Sequence, residues 1–141
     1  MTALANVALA ELHQRTASTH AAVHAGRMRR VDGERFVRCW LSIALAAGAQ
    51  PGECSALLGN WVEETKLDER HARIVLLDNG PPKTEWLTEL ARARDHAGGK
   101  ARAYPTDMTL SVRHHALDSL CIYLGGPSEM QTAQRELEAV A

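Results

Sequence analysis

Three histidines at helical spacing near the N-terminus are the first residues that could bind a metal ion. His13, His20 and His24 follow one stripe of a helix that the apolar spacing predicts over residues 2–28. His20 and His24 lie on adjacent turns, whereas His13 is two turns from His20, because a helix rises about 1.5 Å per residue. A zinc site needs further ligands, and no HExxH or ExxH pair supplies them. We therefore favour surface or helix-contact histidines, with a metal-binding bundle that uses His20/His24 as an alternative.

A second set of residues contains the side-chain types of a hydrolase triad. Ser111, His114 and Asp118 lie within eight positions of one predicted helix. Three triad members on one helix face would crowd the nucleophile, and neither a glycine-rich elbow nor an oxyanion-hole element accompanies them. We interpret His114 and Asp118 as a local pair at the polar edge of an apolar stripe. The sequence thus predicts no enzyme, no catalytic residue and no cofactor.

The cysteines and the apolar segments bear on the cellular compartment. Cys39, Cys54 and Cys121 are odd in number and form no CxxC pair, which argues against a disulfide framework and a zinc ribbon. The apolar run over 39–49 is too short to cross a bilayer, which needs about 20 residues. The first residues lack the basic leader of a signal peptide. We expect a cytoplasmic protein with buried free thiols.

Two basic clusters are the only feature that favours a particular function. Thirteen of the sixteen basic residues are arginines, whose planar guanidinium binds phosphate in a forked geometry. Tyr104 follows the second cluster, and arginines beside an aromatic ring suit contacts with a nucleic-acid backbone and base stacking. The alternative interpretation is a solvated surface with acidic neighbours. The predicted nucleic-acid-binding residues are Arg27, Arg29, Arg30, Arg35 and Arg38 in the first cluster and Arg92, Arg94, Lys100 and Arg102 in the second.

The apolar pattern predicts which helices hold these clusters. Nearly every residue over 39–49 is apolar, which indicates a helix that is covered on all sides. We place this central helix at about 34–49, after a turn at Asp32–Gly33 in which Asp32 is a plausible N-cap. The chain should then form an all-α fold, a single compact bundle of six to seven helices in one domain over 1–141.

The middle of the chain is harder to interpret. Pro51 should stand in the first turn of a third helix. Residues 74–77 fit either a short buried strand or a helix, and we prefer a helix that Gly80 closes at its C-terminus. The expected buried face of the third helix is Leu57, Leu58, Trp61 and Val62, and Asp68 is the expected cap of the fourth helix.

Three helices are expected in the last 60 residues. Gly98-Gly99 should end the first of these, and residues 100–105 should form a basic loop. Thr106 or Asp107 should cap the next helix, which has two apolar stripes and should therefore lie between neighbours. The stripes are Met108, Val112, Ala116, Leu120 and Tyr123 on one side and Leu110, Leu117, Cys121 and Leu124 on the other.

The last segment carries a signature of a helix N-terminus. Ser128 and Gln131 match a capping box, with Met130 and Leu137 expected to point inward.

The length, the predicted helicity and the arginine clusters at 27–38 and 92–102 together resemble the small all-helical subunit of CRISPR effector ribonucleoprotein complexes. The resemblance implies several copies in a filament that hold nucleic acid by its backbone without catalysis. The acidic stretch over 51–90 could meet the basic patch of another copy in such a row.

The expected function is thus a non-catalytic subunit of a larger assembly. It would contact single-stranded RNA or DNA through the arginine clusters, together with other protein subunits or copies of itself. The alternative is a helical protein–protein interaction or regulatory module without nucleic acid, which docks a protein through its segregated charges.

Overall fold

The chain was analysed as a computed structural model that describes the backbone of residues 3–58 and 69–140 and the side chains of 3–54 and 73–139. Within these ranges every regular element is a helix, which confirms the predicted all-α fold class. The contacts divide the chain into two compact units, Met1–Trp86 and Leu87–Ala141, and the single domain over 1–141 stays a prediction. The helices are α1 (Ala3–His24), α2 (Arg30–Ala46), α3 (Pro51–Leu58), α4 (Glu69–Asp78), α5 (Lys83–Ala103), α6 (Met108–Tyr123) and α7 (Glu129–Val140).

Helix α2 is the central helix of the first unit, as the apolar run predicts. Every residue from Cys39 to Leu45 is buried, and α2 packs against α1, α3 and α4. It ends at Ala46. Just beyond this end, the amide of Ala49 donates to the carbonyl of Ala44 at 2.9 Å. Gly48 has a φ of 105°, a left-handed conformation that a residue with a Cβ rarely adopts. This glycine therefore turns the chain out of the helix.

The predicted turn at Asp32–Gly33 is wrong, because α2 already begins at Arg30. Its N-cap is Arg29, which makes no side-chain cap, and Asp32 lies in the first turn. Gly33 is buried in the helix, where a Cβ would come within 2.9 Å of the methyl groups of Thr19 and Val23. The glycine here serves the close approach of α1 to α2 and not a turn.

The ambiguous segment over 74–77 is helical, as preferred from the sequence. Pro51 is the first residue of α3, and α4 runs from Glu69 to Asp78. Gly80 is not among the glycines with a positive φ, so it does not close α4 by a left-handed cap. A Cβ at Gly80 would lie 2.7 Å from Ser42 Oγ, which shows that the loop passes close to α2. The side chains predicted at Leu57, Leu58, Trp61, Val62 and Asp68 lie outside the described residues.

In the second unit, α5 continues through Gly98 and Gly99 to Ala103, so the predicted helix end and basic loop are wrong. A glycine inside a helix costs about 1 kcal/mol relative to alanine. The close packing of α6 against α5 explains the glycine at position 98, because a Cβ at Gly98 would lie 2.8 Å from His114 Nε2. Nothing lies within 4 Å of a Cβ at Gly99.

The predicted caps of α6 and α7 are confirmed. The Asp107 carboxylate accepts from the amides of Thr109 and Leu110 at 3.0 and 3.3 Å. At the start of α7, Ser128 Oγ accepts from the Gln131 amide at 3.1 Å, and Gln131 Oε1 accepts from the Ser128 amide at 3.0 Å. This reciprocal pair is a capping box.

Candidate interaction surfaces

The first arginine cluster lies at the exposed start of α2, and carboxylates of the same chain bind Arg29, Arg35 and Arg38. Arg29 donates to both oxygens of Asp32, at 2.8 and 3.2 Å. Arg35 binds Glu85 through two parallel hydrogen bonds of 2.7 and 2.6 Å. These carboxylates raise the pKa of both arginines. The guanidinium groups stay charged, but much of their charge is balanced within the chain.

The other three members of this cluster are Arg38, Arg27 and Arg30. Arg38 donates to Glu34 Oε1 at 3.2 Å through Nη2, one turn earlier on α2. Arg27 and Arg30 are exposed. Exposed ion pairs are weak, because water screens them. The pairs over 29–38 therefore do not prevent a phosphate from replacing a carboxylate.

The second arginine cluster does not form one exposed patch. Arg92 binds Glu89 on its own helix at 2.6 Å, and the hydrogen bond raises the pKa of Arg92. Arg102 Nη1 donates to Glu129 at 3.0 Å, and Lys100 is exposed on the last turns of α5. Arg94 is completely buried. The predicted contact of Arg94 with nucleic acid requires an exposed guanidinium, and the guanidinium of Arg94 is not exposed.

Arg94 instead connects α5 to the segment between α6 and α7. Its Nη1 donates to the Pro127 carbonyl at 2.6 Å, and its Nε donates to Asp95 at 3.0 Å. The Asp118 carboxylate lies 3.7 Å from Nη1, and Nη2 lies 3.4 Å from Thr132 Oγ1. A buried guanidinium requires such partners, because an unpaired charge costs several kcal/mol to bury. Arg94 therefore holds the start of α7 in place.

Glu129 is the second anchor of α7. His114 Nε2 lies 2.5 Å from Glu129 Oε2, and Arg102 binds the other oxygen. Burial alone would raise the pKa of Glu129, but the hydrogen bonds from Arg102 and His114 lower it below its usual value. The Glu129 amide donates to Asp118 Oδ1 at 3.0 Å. The expected His114–Asp118 pair is thus replaced by a His114–Glu129 pair, with Asp118 at the N-terminus of α7.

The histidines and cysteines form no site of their own in the described ranges. The rings of His20 and His24 are stacked with centroids 6.4 Å apart, and no group of three metal-ligating residues occurs there. Cys39, Cys54 and Cys121 are buried free thiols, as the sequence predicts for Cys39 and Cys121. Burial raises the pKa of Cys54 to about 11 and that of Cys121 above its usual value. Both thiols stay protonated and poorly nucleophilic at neutral pH.

Helix α6 buries one side and exposes the other, and these sides differ from the two predicted stripes. Leu117, Leu120 and Cys121 are completely buried. On the opposite side, Met108 is 71% exposed and Val112 is 62% exposed. The predicted first stripe mixed the two sides, since steps of four residues drift about 40° around a helix. The exposed face of α6 consists of the exposed Met108, Val112, His115, Ile122 and Tyr123 together with the half-buried Ser119.

Among the described side chains of α7, the only partly buried ones lie in its first turn. All described side chains from 133 to 139 are exposed, and Met130 and Leu137 are 82% and 74% exposed. The prediction that these two residues point inward is therefore wrong. The spacing of Met130 and Leu137 correctly indicates an apolar face, but nothing in the sequence indicates that the chain leaves this face uncovered.

Comparisons with protein-family models, with curated proteins and with solved structures find no match to this chain. In the part of the chain that the structure describes, no helix is both long enough and apolar enough to cross a bilayer.

Proposed function

We propose that this chain is a non-catalytic helical interaction module that presents α7 to a protein partner. The observation that carries the proposal is the exposure of Met130, in the first turn of α7, and of Leu137, in a stretch over 133–139 whose described side chains are all exposed. These two residues are seven positions apart and lie on one face of the helix. A helix of 12 residues is marginal in water by itself, so an uncovered apolar face favours a partner that covers it.

The charges beside this face indicate the chemistry of the partner. Glu136 and Glu138 are exposed and lie about 100° to either side of Leu137 around the helix. The partner that fits is an apolar groove with basic residues along its rims, which receives an amphipathic helix. The capping box and the contacts of Arg94 and Glu129 preorganise α7 for such a groove, which lowers the entropy lost on binding.

Site-specific photo-crosslinking tests this proposal. A photoreactive amino acid is placed at position 137, on the apolar face, and in a matched variant at position 135, toward the other side of α7. In host extract, we expect one discrete protein adduct from position 137 and none from position 135. The substitution Met130→Glu should remove the adduct, and the purified partner should bind the unmodified chain at least about tenfold more tightly than this variant. Equal adduct patterns from the two positions would contradict the proposal.

Nucleic-acid binding is the second candidate, supported by the exposure of Arg27, Arg29, Arg30 and Arg35 within nine residues. Fluorescence anisotropy of labelled single-stranded RNA and duplex DNA at low and high salt tests it. Phosphate contacts predict affinity that falls steeply with salt, and neutralising Arg29, Arg30, Arg35 and Arg92 together should abolish it. Unchanged binding in that variant, or no binding at low salt, would refute this candidate and its CRISPR-like arrangement.

We also propose a cytoplasmic location. The three buried free thiols support it, since a reducing compartment keeps thiols free.

A further inference from the structure

The exposed face of α6 (Met108, Val112, His115, Ser119, Ile122 and Tyr123) is apolar or uncharged along its whole length. None of its six residues is Asp, Glu, Lys or Arg. Four of the six are large apolar side chains that are half exposed or more. The face runs the whole length of a 16-residue helix, about 24 Å at 1.5 Å per residue.

We propose that this face binds the same face of a second copy of the chain, in an antiparallel helix pair with two-fold symmetry. A two-fold interface brings one patch against itself, so each residue must tolerate its own mate. A face without fixed charge meets this condition, because it places no like charges together. A charged partner surface would lose water from its charged groups on this face without gaining an opposite charge.

The order of residues along α6 fits the antiparallel arrangement. With the axis near His115, Met108 of one copy lies opposite Tyr123 of the other, and a thioether against an aromatic ring is a favourable contact. Val112 lies opposite Ser119, so a larger side chain meets a smaller one. The two His115 side chains meet near the axis. Antiparallel helices also align their dipoles favourably.

A lipid surface is a less suitable partner for this face. Helices that lie on membranes have a polar side rich in Lys and Arg, which anionic headgroups attract. Arg113 and Asp118 are the only fixed charges of α6, and they cancel. We expect a contact through one 16-residue helix per copy to bury less than the standard of about 800 Å² per partner, and therefore a dimer with a dissociation constant in the micromolar range or above.

Analytical ultracentrifugation of the full chain from about 5 to 500 μM covers the range in which such a dimer forms. We expect the wild-type sedimentation coefficient to rise with concentration. His115→Glu and His115→Lys, measured separately, should stay monomeric, since each places like charges at the axis. An equimolar mixture of the two variants should dimerise again, which shows that both fold and that position 115 meets itself. Failure of the mixture to dimerise would overturn the proposal.

The orientation of the two helices has its own test. Chains with Met108→Cys and with Tyr123→Cys are mixed and treated with oxidised glutathione. An antiparallel pair should give a cross-linked dimer only in the mixture, whereas Met108→Cys alone should cross-link in a parallel pair. Cross-linking of the single variants alone would overturn the antiparallel arrangement.

Two further measurements separate this proposal from its alternatives. Met130→Glu on α7 should leave self-association unchanged. The proposed α6 dimer and the proposed partner of α7 can therefore be refuted independently of each other. A wild-type chain that stays monomeric at every concentration overturns the proposal. Flotation of that monomer with phosphatidylcholine–phosphatidylserine vesicles would then assign the face to a lipid surface.

Discussion

Helices α2 and α6 are both apolar on more than one side, yet only the second half of α2 is buried on all sides. From Cys39 to Leu45 every side chain of α2 is buried, whereas α6 leaves Met108, Val112, Ile122 and Tyr123 exposed. The two helices have similar lengths, of 17 and 16 residues. An apolar pattern on more than one side of a helix therefore predicts that the helix needs neighbours. The pattern does not show whether those neighbours belong to the same chain.

The largest expected effect comes from the same substitution placed in each helix. Ile43 in α2 is completely buried, and Ile122 in α6 is 51% exposed. We expect Ile43→Ala to lower the free energy of unfolding by about 2–5 kcal/mol, because it leaves a cavity that the packed helices cannot close. Ile122→Ala should cost about 1 kcal/mol or less, because water already reaches this side chain.

Both losses of stability are measured at low protein concentration. Urea unfolding followed by tryptophan fluorescence reports on the first unit, and hydrogen exchange of α6 reports on the second. At concentrations where α6 pairs with a second copy, Ile122→Ala should weaken the dimer in addition. Equal losses of stability for the two variants in the monomer would mean that α6 is covered as completely as α2.

The second prediction compares a buried and an exposed arginine on α5. Arg94→Met keeps the length of the side chain but removes the hydrogen bonds to Asp95 and Pro127. The half-buried Pro127 carbonyl then loses its charged donor, so we expect a loss of about 1–3 kcal/mol. Hydrogen exchange at the first turn of α7 should accelerate most, because Arg94 anchors that turn.

Arg92→Met is the matched control, since Arg92 is exposed and binds Glu89 on the same helix. It should change stability by no more than about 0.5 kcal/mol. A similar effect of the two substitutions would show that Arg94 does not anchor α7.

The elements that could be predicted from the sequence are those whose causes lie close together along the chain. The apolar run of α2, the Asp107 cap and the Ser128–Gln131 capping box each depend on residues within a few positions. All three are found in the structure. Local rules decide such elements, because the interacting groups belong to one helix or to its first turn.

The errors arise where distant residues decide the outcome. Gly98 looks like a helix end, but its position under the His114 side chain makes it an interior residue of α5. Arg94 looks like a member of a basic patch, but its main acceptor, Pro127, lies 33 positions away. The candidate interaction faces of α6 and α7 could be recognised as apolar, but only the structure shows that they are exposed.

Two glycines extend the comparison between covered and uncovered helix surfaces. Gly33 lies between α2 and α1, and a Cβ there would meet Thr19 and Val23 at 2.9 Å, whereas a Cβ at Gly99 would meet nothing. Gly33→Ala should cost about 1–2 kcal/mol, since overpacking outweighs the better helix propensity. Gly99→Ala should raise stability by about 0.5–1 kcal/mol. Thermal unfolding of the two variants beside the wild type measures both changes, and a gain in stability from Gly33→Ala would contradict the close packing.

The smallest expected effect is the pH dependence that Glu129 gives to the anchor of α7. Its pKa is lowered in the folded chain below the usual value of 4.5, so the unfolded chain takes up the proton first as the pH falls. The stabilisation is therefore complete above about pH 5.5 and is lost as the pH falls below 4.5 through the folded value. Glu129→Gln should reduce stability at pH 5.5, and the difference from the wild type should shrink by pH 3.5.

Glu138→Gln serves as the control, since Glu138 is exposed and accepts a hydrogen bond from Gln134 on the same helix. Hydrogen exchange of α7 at several pH values between 3.5 and 5.5 measures the effect at the helix concerned. If Glu129→Gln and Glu138→Gln gave the same pH dependence, the contacts with Arg102 and His114 would not hold α7. Helix α7 would then be held less firmly than its contacts with Arg102 and His114 indicate.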